Sequence, residues 1–151
     1  MLPRLTGKAS KSGPEYVEGV WTPVLTFATP GNLSVTYSVQ TGFYARVGNL
    51  VTAGFLVTTS AFTHTTASGA ARITGLPFTS ANVSNQNVYG PCFWQGITKA
   101  NYTYVMARLA ANSNIIDFGI AGSGQTATLV AFGDMPTGGS VALHGTLAFR
   151  V

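Results

Sequence analysis

Catalysis and metal binding need acids, histidines, thiols or activated hydroxyls brought close together, and this chain of 151 residues has few of them. Its four acids are Glu15, Glu18, Asp117 and Asp134. Glycoside hydrolysis ordinarily takes two carboxyls flanking one bond. Glu15 and Glu18 lie in an N-terminal arm, which leaves Asp117 and Asp134 as the pair within the body. Asp117 falls in a strand pattern, and Asp134 sits in Gly133-Asp134-Met135-Pro136, where aspartate has an ordinary turn role. Catalysis by this pair within one chain is not expected, and a site shared between subunits would need the same two acids.

The other reactive groups are as isolated. His64 sits in a Thr-rich stretch and His144 in the outward row of the last strand pattern, with no Cys, Asp or Glu near either. A metal centre needs several ligands with fitting geometry, so both read as chance surface histidines. The single cysteine, Cys92, excludes an internal disulfide and reads as a buried reduced thiol. No Gly-x-Ser-x-Gly elbow occurs, and Gly122-Ser123-Gly124 is a turn between strands. The glycines open no helix, so phosphate-cradle motifs fail too. These counts predict a non-enzyme with no metal and no cofactor.

Aromatic residues remain. Tyr102 and Tyr104 share a strand face with Arg108, opposite the Val105 and Leu109 row, and Trp94 is a fourth candidate. Rings exposed beside polar groups stack on sugars or anchor a protein partner. Tyr and Trp also fill subunit interfaces and cores, which is the plainer explanation for the same residues.

The elements that must position these groups are strands. Leu33, Val35, Tyr37 and Val39 alternate with Ser34, Thr36, Ser38 and Gln40, a half-buried antiparallel pattern. Trp21, Pro23, Leu25 and Phe27 alternate likewise, with Pro23 marking an edge or a strand start. In Phe43–Thr58, two apolar runs meet at Gly48-Asn49, the signature of a two-residue hairpin of type II′. The second arm is apolar on both faces: Val51, Ala53, Phe55 and Val57 on one, Leu50, Gly54 and Leu56 on the other. A strand apolar on both faces is covered on both. The cover over Leu50 and Leu56 is expected from another subunit.

Downstream, residues 60–69 read as a Thr- and Ser-rich loop, followed by a short strand to Thr74 and the Leu76-Pro77-Phe78 segment. Further patterns run over 88–97, where the strand looks irregular, and over 102–109, 116–120, 125–132 and 141–151. No window of 11 residues carries a helical stripe. Nine or ten short antiparallel strands with regular turns predict an all-β sandwich of jelly-roll type.

Charge divides the chain. Charged residues are 8% of the total, against about 25% in ordinary soluble domains. Five of the twelve, Arg4, Lys8, Lys11, Glu15 and Glu18, precede Val20, and the body has seven. A body so poor in charge suits an assembly, where few desolvated charges need partners, and is also compatible with a neutral soluble domain. The net charge of +4 is scattered singly, so no nucleic-acid footprint exists. No apolar run is long enough to insert in a membrane, and no leader for secretion is recognised, so synthesis in a cytoplasm is expected. Residues 1–19 read as an extended docking arm, with Arg4, Lys8, Lys11 and Tyr16 as anchoring candidates and a reach of about 60–65 Å. Residues 20–151 read as the β-domain.

The order of segments resembles a β-domain that recurs in bacteriophage tail fibres and tailspikes. The residues that carry it are Gly19-Val20-Trp21-Thr22-Pro23, then Tyr44-Ala45-Arg46-Val47-Gly48-Asn49-Leu50-Val51, then Ile73-Thr74-Gly75-Leu76-Pro77-Phe78. They match a Gly-x-Trp-Thr-Pro opening, a Tyr-x-Arg/Lys-Ile/Val-Gly-Asn-x-Val hairpin and an Ile-x-Gly-Leu-Pro-Phe segment. The resemblance implies a virion structural protein, assembled as a homotrimer, that helps recognise a host-surface glycan. It offers no catalytic residues for this half of the chain. The chain itself reads as a short copy without a shaft, for which capsid cement or decoration is the second role, its arm held by other virion proteins.

Overall fold

A computed structural model describes residues 13–151. They form ten antiparallel strands: β1 (Tyr16–Trp21), β2 (Val24–Thr29), β3 (Ser34–Val47), β4 (Leu50–Thr63), β5 (Ser68–Thr74), β6 (Val88–Gln95), β7 (Tyr104–Leu109), β8 (Ile116–Ala121), β9 (Thr128–Leu129) and β10 (Ala142–Arg150). A single 3-10 turn, Phe132–Asp134, is the sole helical element among the described residues.

The strands make one curled sheet in the order β1-β3-β4-β10-β6-β7-β8-β5-β2, with β9 beside β8. Two stacked sheets were the expectation; the chain instead joins both halves through β6. That strand pairs with β10 over Gln95–Cys92 and with β7 over Val88–Pro91. The bend at Pro91-Cys92 is possible because Pro91 has no N–H to lose from a ladder. Gly90 helps, since a Cβ there would overlap the Thr146 carbonyl oxygen.

The core lies inside the curl. Val51, Ala53, Phe55 and Val57 of β4 are all buried, as their alternation requires. Phe55 meets Phe118 of β8 edge-on, ring centroids 6.1 Å apart, among Leu25, Ile73, Leu109 and Leu143. The hairpin turn is as read: β3 ends at Val47, β4 begins at Leu50, and Gly48 has φ of 58° while Asn49 does not enter the positive-φ region.

Several boundaries move. Residues Tyr16–Gly19, grouped with the arm by composition, are in β1 and pair with β3 from Tyr16↔Val47 to Trp21↔Gly42. Arg4, Lys8 and Lys11 lie outside the described residues. The pattern over Trp21–Ala28 is two strands rather than one. Thr22-Pro23 breaks it, and β1 and β2 sit at opposite ends of the sheet order. The stretch read as a loop over 60–69 is largely strand: β4 continues to Thr63, opposite Ser34 of β3, because Phe62 is fully buried against Phe27. The remaining turn is stapled by Asn32, whose Oδ1 accepts from the Thr65 and Thr66 amides at 2.9 and 3.0 Å.

Candidate functional site

The outer face of β1-β3-β4-β10 is unusually apolar. Residues directly opposite on neighbouring strands point to the same side of a sheet. One such row is Val20, Phe43, Gly54 and Thr146, and a second is Thr41, Leu56, His144 and Phe93. Val20 is 81% exposed, Phe93 60% and Leu50 48%. Between the rows runs an open groove of about 570 Å³ lined by Phe43, Leu56, Pro91, Phe93, Tyr104 and His144. His144 is held by a 2.9 Å hydrogen bond between Nε2 and Thr58 Oγ1, and its ring lies 5.6 Å from that of Phe93. Leu50 and Leu56, proposed from the two-faced pattern of β4, thus share one surface.

Cys92 also lines this groove. Burial pushes its thiol up to about 12, only partly offset by a hydrogen bond from the backbone of His144. At neutral pH it is a thiol and not a nucleophile. The groove offers apolar contact and no reactive group.

The four aromatic and basic candidates separate. Tyr104 is 53% exposed and lies in the groove with Leu56. Tyr102 precedes β7, its hydroxyl donating to the Thr126 carbonyl at 2.9 Å and its ring covered by Lys99 Nζ at 5.3 Å. Trp94 packs against the core opposite Leu143. Arg108 forms a two-pronged pair with Asp117, Nε to Oδ1 at 2.7 Å and Nη2 to Oδ2 at 2.6 Å. Those bonds raise the guanidinium above its already high range.

Phe43, Tyr89 and Phe93 are exposed rings that were not among the candidates. For Tyr89 and Phe93 the signal was present in β6, where Tyr89, Pro91, Phe93 and Gln95 share one parity and are exposed. The bend between two ladders made that stretch look irregular, and Trp94, the more conspicuous residue, has the inward parity.

His64 corrects the surface reading. It is 4% exposed, with its ring 4.7 Å from Phe27 and 5.6 Å from Phe62, and its Nε2 has no hydrogen-bond partner. The extension of β4 carries it inside. Asp134 Oδ2 accepts from the Ala131 amide at 2.9 Å and pairs with Lys99 at 3.5 Å. Both body acids therefore have basic partners. Among the described residues no group of three His, Cys, Asp or Glu is placed to hold a metal ion. Tyr16 opens β1, its hydroxyl donating to the Glu18 carboxylate at 2.6 Å.

No protein-family model and no curated protein matches the chain. A solved structure does. The crystal structure of the Dettilon tailspike protein superposes with a TM-score of 0.61 and 25% identity over 87% of this chain. The chain is similar to part of a phage tailspike. It spans 23% of that chain's length. The likeness points to a phage tail-related structural role and to a place in the virion, in line with the motifs of residues 19–78. No helix among the described residues is long and apolar enough to cross a membrane.

Proposed function

We propose that this chain is a fibre-like structural module of a tailed-phage virion, assembled as a homotrimer and engaged in attachment to host-surface glycan. The observation that carries the reading is the likeness to a tailspike over 87% of the chain. The apolar groove at Phe43, Leu56 and Phe93 supports self-association through the outer face of β4 and β10. The role is non-enzymatic: Asp117 and Asp134 are engaged by Arg108 and Lys99, and neither stands free as a general acid. Residues ahead of β1, with Arg4, Lys8 and Lys11, join the module to other virion proteins.

The test is sedimentation mass together with binding of the purified protein to host cells. A trimer that binds cells is the expected result, and a monomer that binds none overturns it. The extent of the exposed apolar face favours one second reading, a capsid cement whose work is clamping neighbours. In that case an image of the intact particle places this density on the capsid and the isolated protein binds no cells.

A further inference from the structure

The outer face of the other half of the sheet carries a row of different chemistry. Tyr89 of β6 is opposite Arg108 of β7, Arg108 is opposite Asp117 of β8, Asp117 is opposite Arg72 of β5, and Arg72 is opposite Thr26 of β2. Opposed residues share a face, so five side chains from five strands stand in one line. At about 4.8 Å per strand the line from Tyr89 to Thr26 is about 19 Å long. The body beyond residue 19 has seven charged residues, and three of them are in this line. Elsewhere on the sheet surface the charges stand singly, as Glu18 of β1 and Arg150 of β10 do, so the clustering is a local feature.

The members of the row have distinct capacities. Tyr89 is 53% exposed and offers an aromatic face. Its ring edge comes within 3.6 Å of where a Cβ on Gly119 would stand, so it leans over a glycine. The bare backbone there forms part of a trough of about 310 Å³ lined by Tyr89, Met106, Arg108, Gly119 and Thr128. Arg108 and Asp117 are locked to each other and present a fixed pattern of remaining N–H donors and carboxylate lone pairs. Arg72 is half-buried and, among the described residues, has no ion-pair partner, while Asp117 opposite it is paired with Arg108. The row therefore carries a net charge of +1, with the uncompensated cation at Arg72.

We infer that this row binds an acidic saccharide, with Tyr89 stacking on a sugar ring, the Arg108–Asp117 pair meeting ring hydroxyls, and Arg72 pairing with a sugar carboxylate. A flat ring beside fixed polar groups suits the C–H face and hydroxyl edge of a pyranose. A guanidinium matches a carboxylate in two-pronged geometry. Met106, Ala127 and Leu129 add an apolar floor to the trough beside the charged groups, whereas the groove of about 570 Å³ on the other half of the sheet, with no charged lining residue, is the surface suited to a protein partner. The inference rests on the attachment reading above and assigns it a surface and a ligand class.

The test uses the full-length protein against immobilised bacterial surface polysaccharides, comparing uronic-acid-containing, phosphate-containing and neutral polymers. Arg72→Gln and Tyr89→Ala, both altering exposed or half-exposed side chains, are assayed beside wild type for binding, melting temperature and oligomeric state. Wild type is expected to bind uronic-acid polymers selectively and to weaken with added salt. Each variant is expected to lose about tenfold or more in affinity, the equivalent of one charge-assisted or stacking contact, with oligomeric state unchanged. Arg72→Lys is expected to recover part of the loss.

Binding of wild type that both variants retain overturns this site and leaves the attachment reading standing. Equal binding to neutral polymers, or preference for the phosphate-containing ones, overturns the carboxylate assignment. A change of oligomeric state in the variants makes the row a subunit contact instead. If wild type binds neither polysaccharide nor host cells, the attachment reading itself fails.

Discussion

The ring of Phe43 covers the backbone of Gly54, its cross-strand partner, so closely that a Cβ on residue 54 would overlap the ring. This contact keeps Phe43 against the sheet while leaving it 43% exposed as one wall of the apolar groove. Glycine inside a strand normally weakens it, and here the gain is close approach of an aromatic. Gly54→Val should push Phe43 off the sheet, cost about 1–3 kcal/mol as an overpacked site does, and open the groove. Chemical denaturation measures the first effect, and the fluorescence of a hydrophobic dye bound at the groove measures the second. Unchanged stability would mean that Phe43 has another resting place.

Adjacent residues of β4 should behave oppositely. Phe55 is buried against Phe118, so Phe55→Ala should cost about 3–5 kcal/mol and Phe55→Asp should leave the chain unfolded. Leu56 lies on the outer face, so Leu56→Asp should keep the melting transition of the isolated subunit and reduce the sedimentation mass. Circular dichroism with analytical ultracentrifugation separates the two. A folded, fully assembled Leu56→Asp protein argues against self-association through this face.

Cys92 predicts an alkaline loss of stability. Its thiol titrates at about 12 in the fold and at 9.0 in a free reference. Above pH 9 the unfolded chain gives up this proton while the folded chain keeps it, so the unfolded state is favoured increasingly up to about pH 12. The stabilisation is complete below pH 9 and disappears across that window. Tyr37, raised above 10.0 by burial, acts in the same direction and begins to act later. Urea midpoints at pH 8 and pH 10.5 should fall less in Cys92→Ala than in wild type. At pH 8 the native protein should resist iodoacetamide and the denatured protein should not.

His64 is a polar group in an apolar place. Its unpartnered Nε2 between Phe27 and Phe62 is the kind of atom whose burial costs about 1–3 kcal/mol. His64→Leu, of comparable size, should therefore raise stability by about 1 kcal/mol, which a urea titration resolves. Destabilisation would show that the imidazole contributes through its stacking on the two rings.

Much of the strand inventory was legible locally. Period-2 alternation located β3, β4, β7, β8 and β10, and Gly48-Asn49 located the central hairpin and its turn type. These are properties of neighbours along the chain: which side of a pleat a residue takes, and which residue tolerates positive φ. The two-faced composition of β4 also placed Leu50 and Leu56 outside correctly, because one strand has only two faces and Val51–Val57 filled the inner one.

What depended on distant residues was not legible. The continuation of β4 to Thr63 rests on Phe62 meeting Phe27, and the burial of His64 follows from it, though Thr63, Thr65 and Thr66 around it read as a polar loop. The change of partner along β6, from β10 over Gln95–Cys92 to β7 over Val88–Pro91, joins the two halves of the sheet and is fixed by those distant strands. Tyr89, Arg108, Asp117 and Arg72 come from four strands, and their line exists only because the register of three ladders brings them opposite one another. By itself, then, the sequence determined an all-β chain, its principal hairpin and a body almost without charge. Only the tertiary structure decided which of its few charges stand together, because cross-strand register is set by the whole sheet and not by any one segment of it.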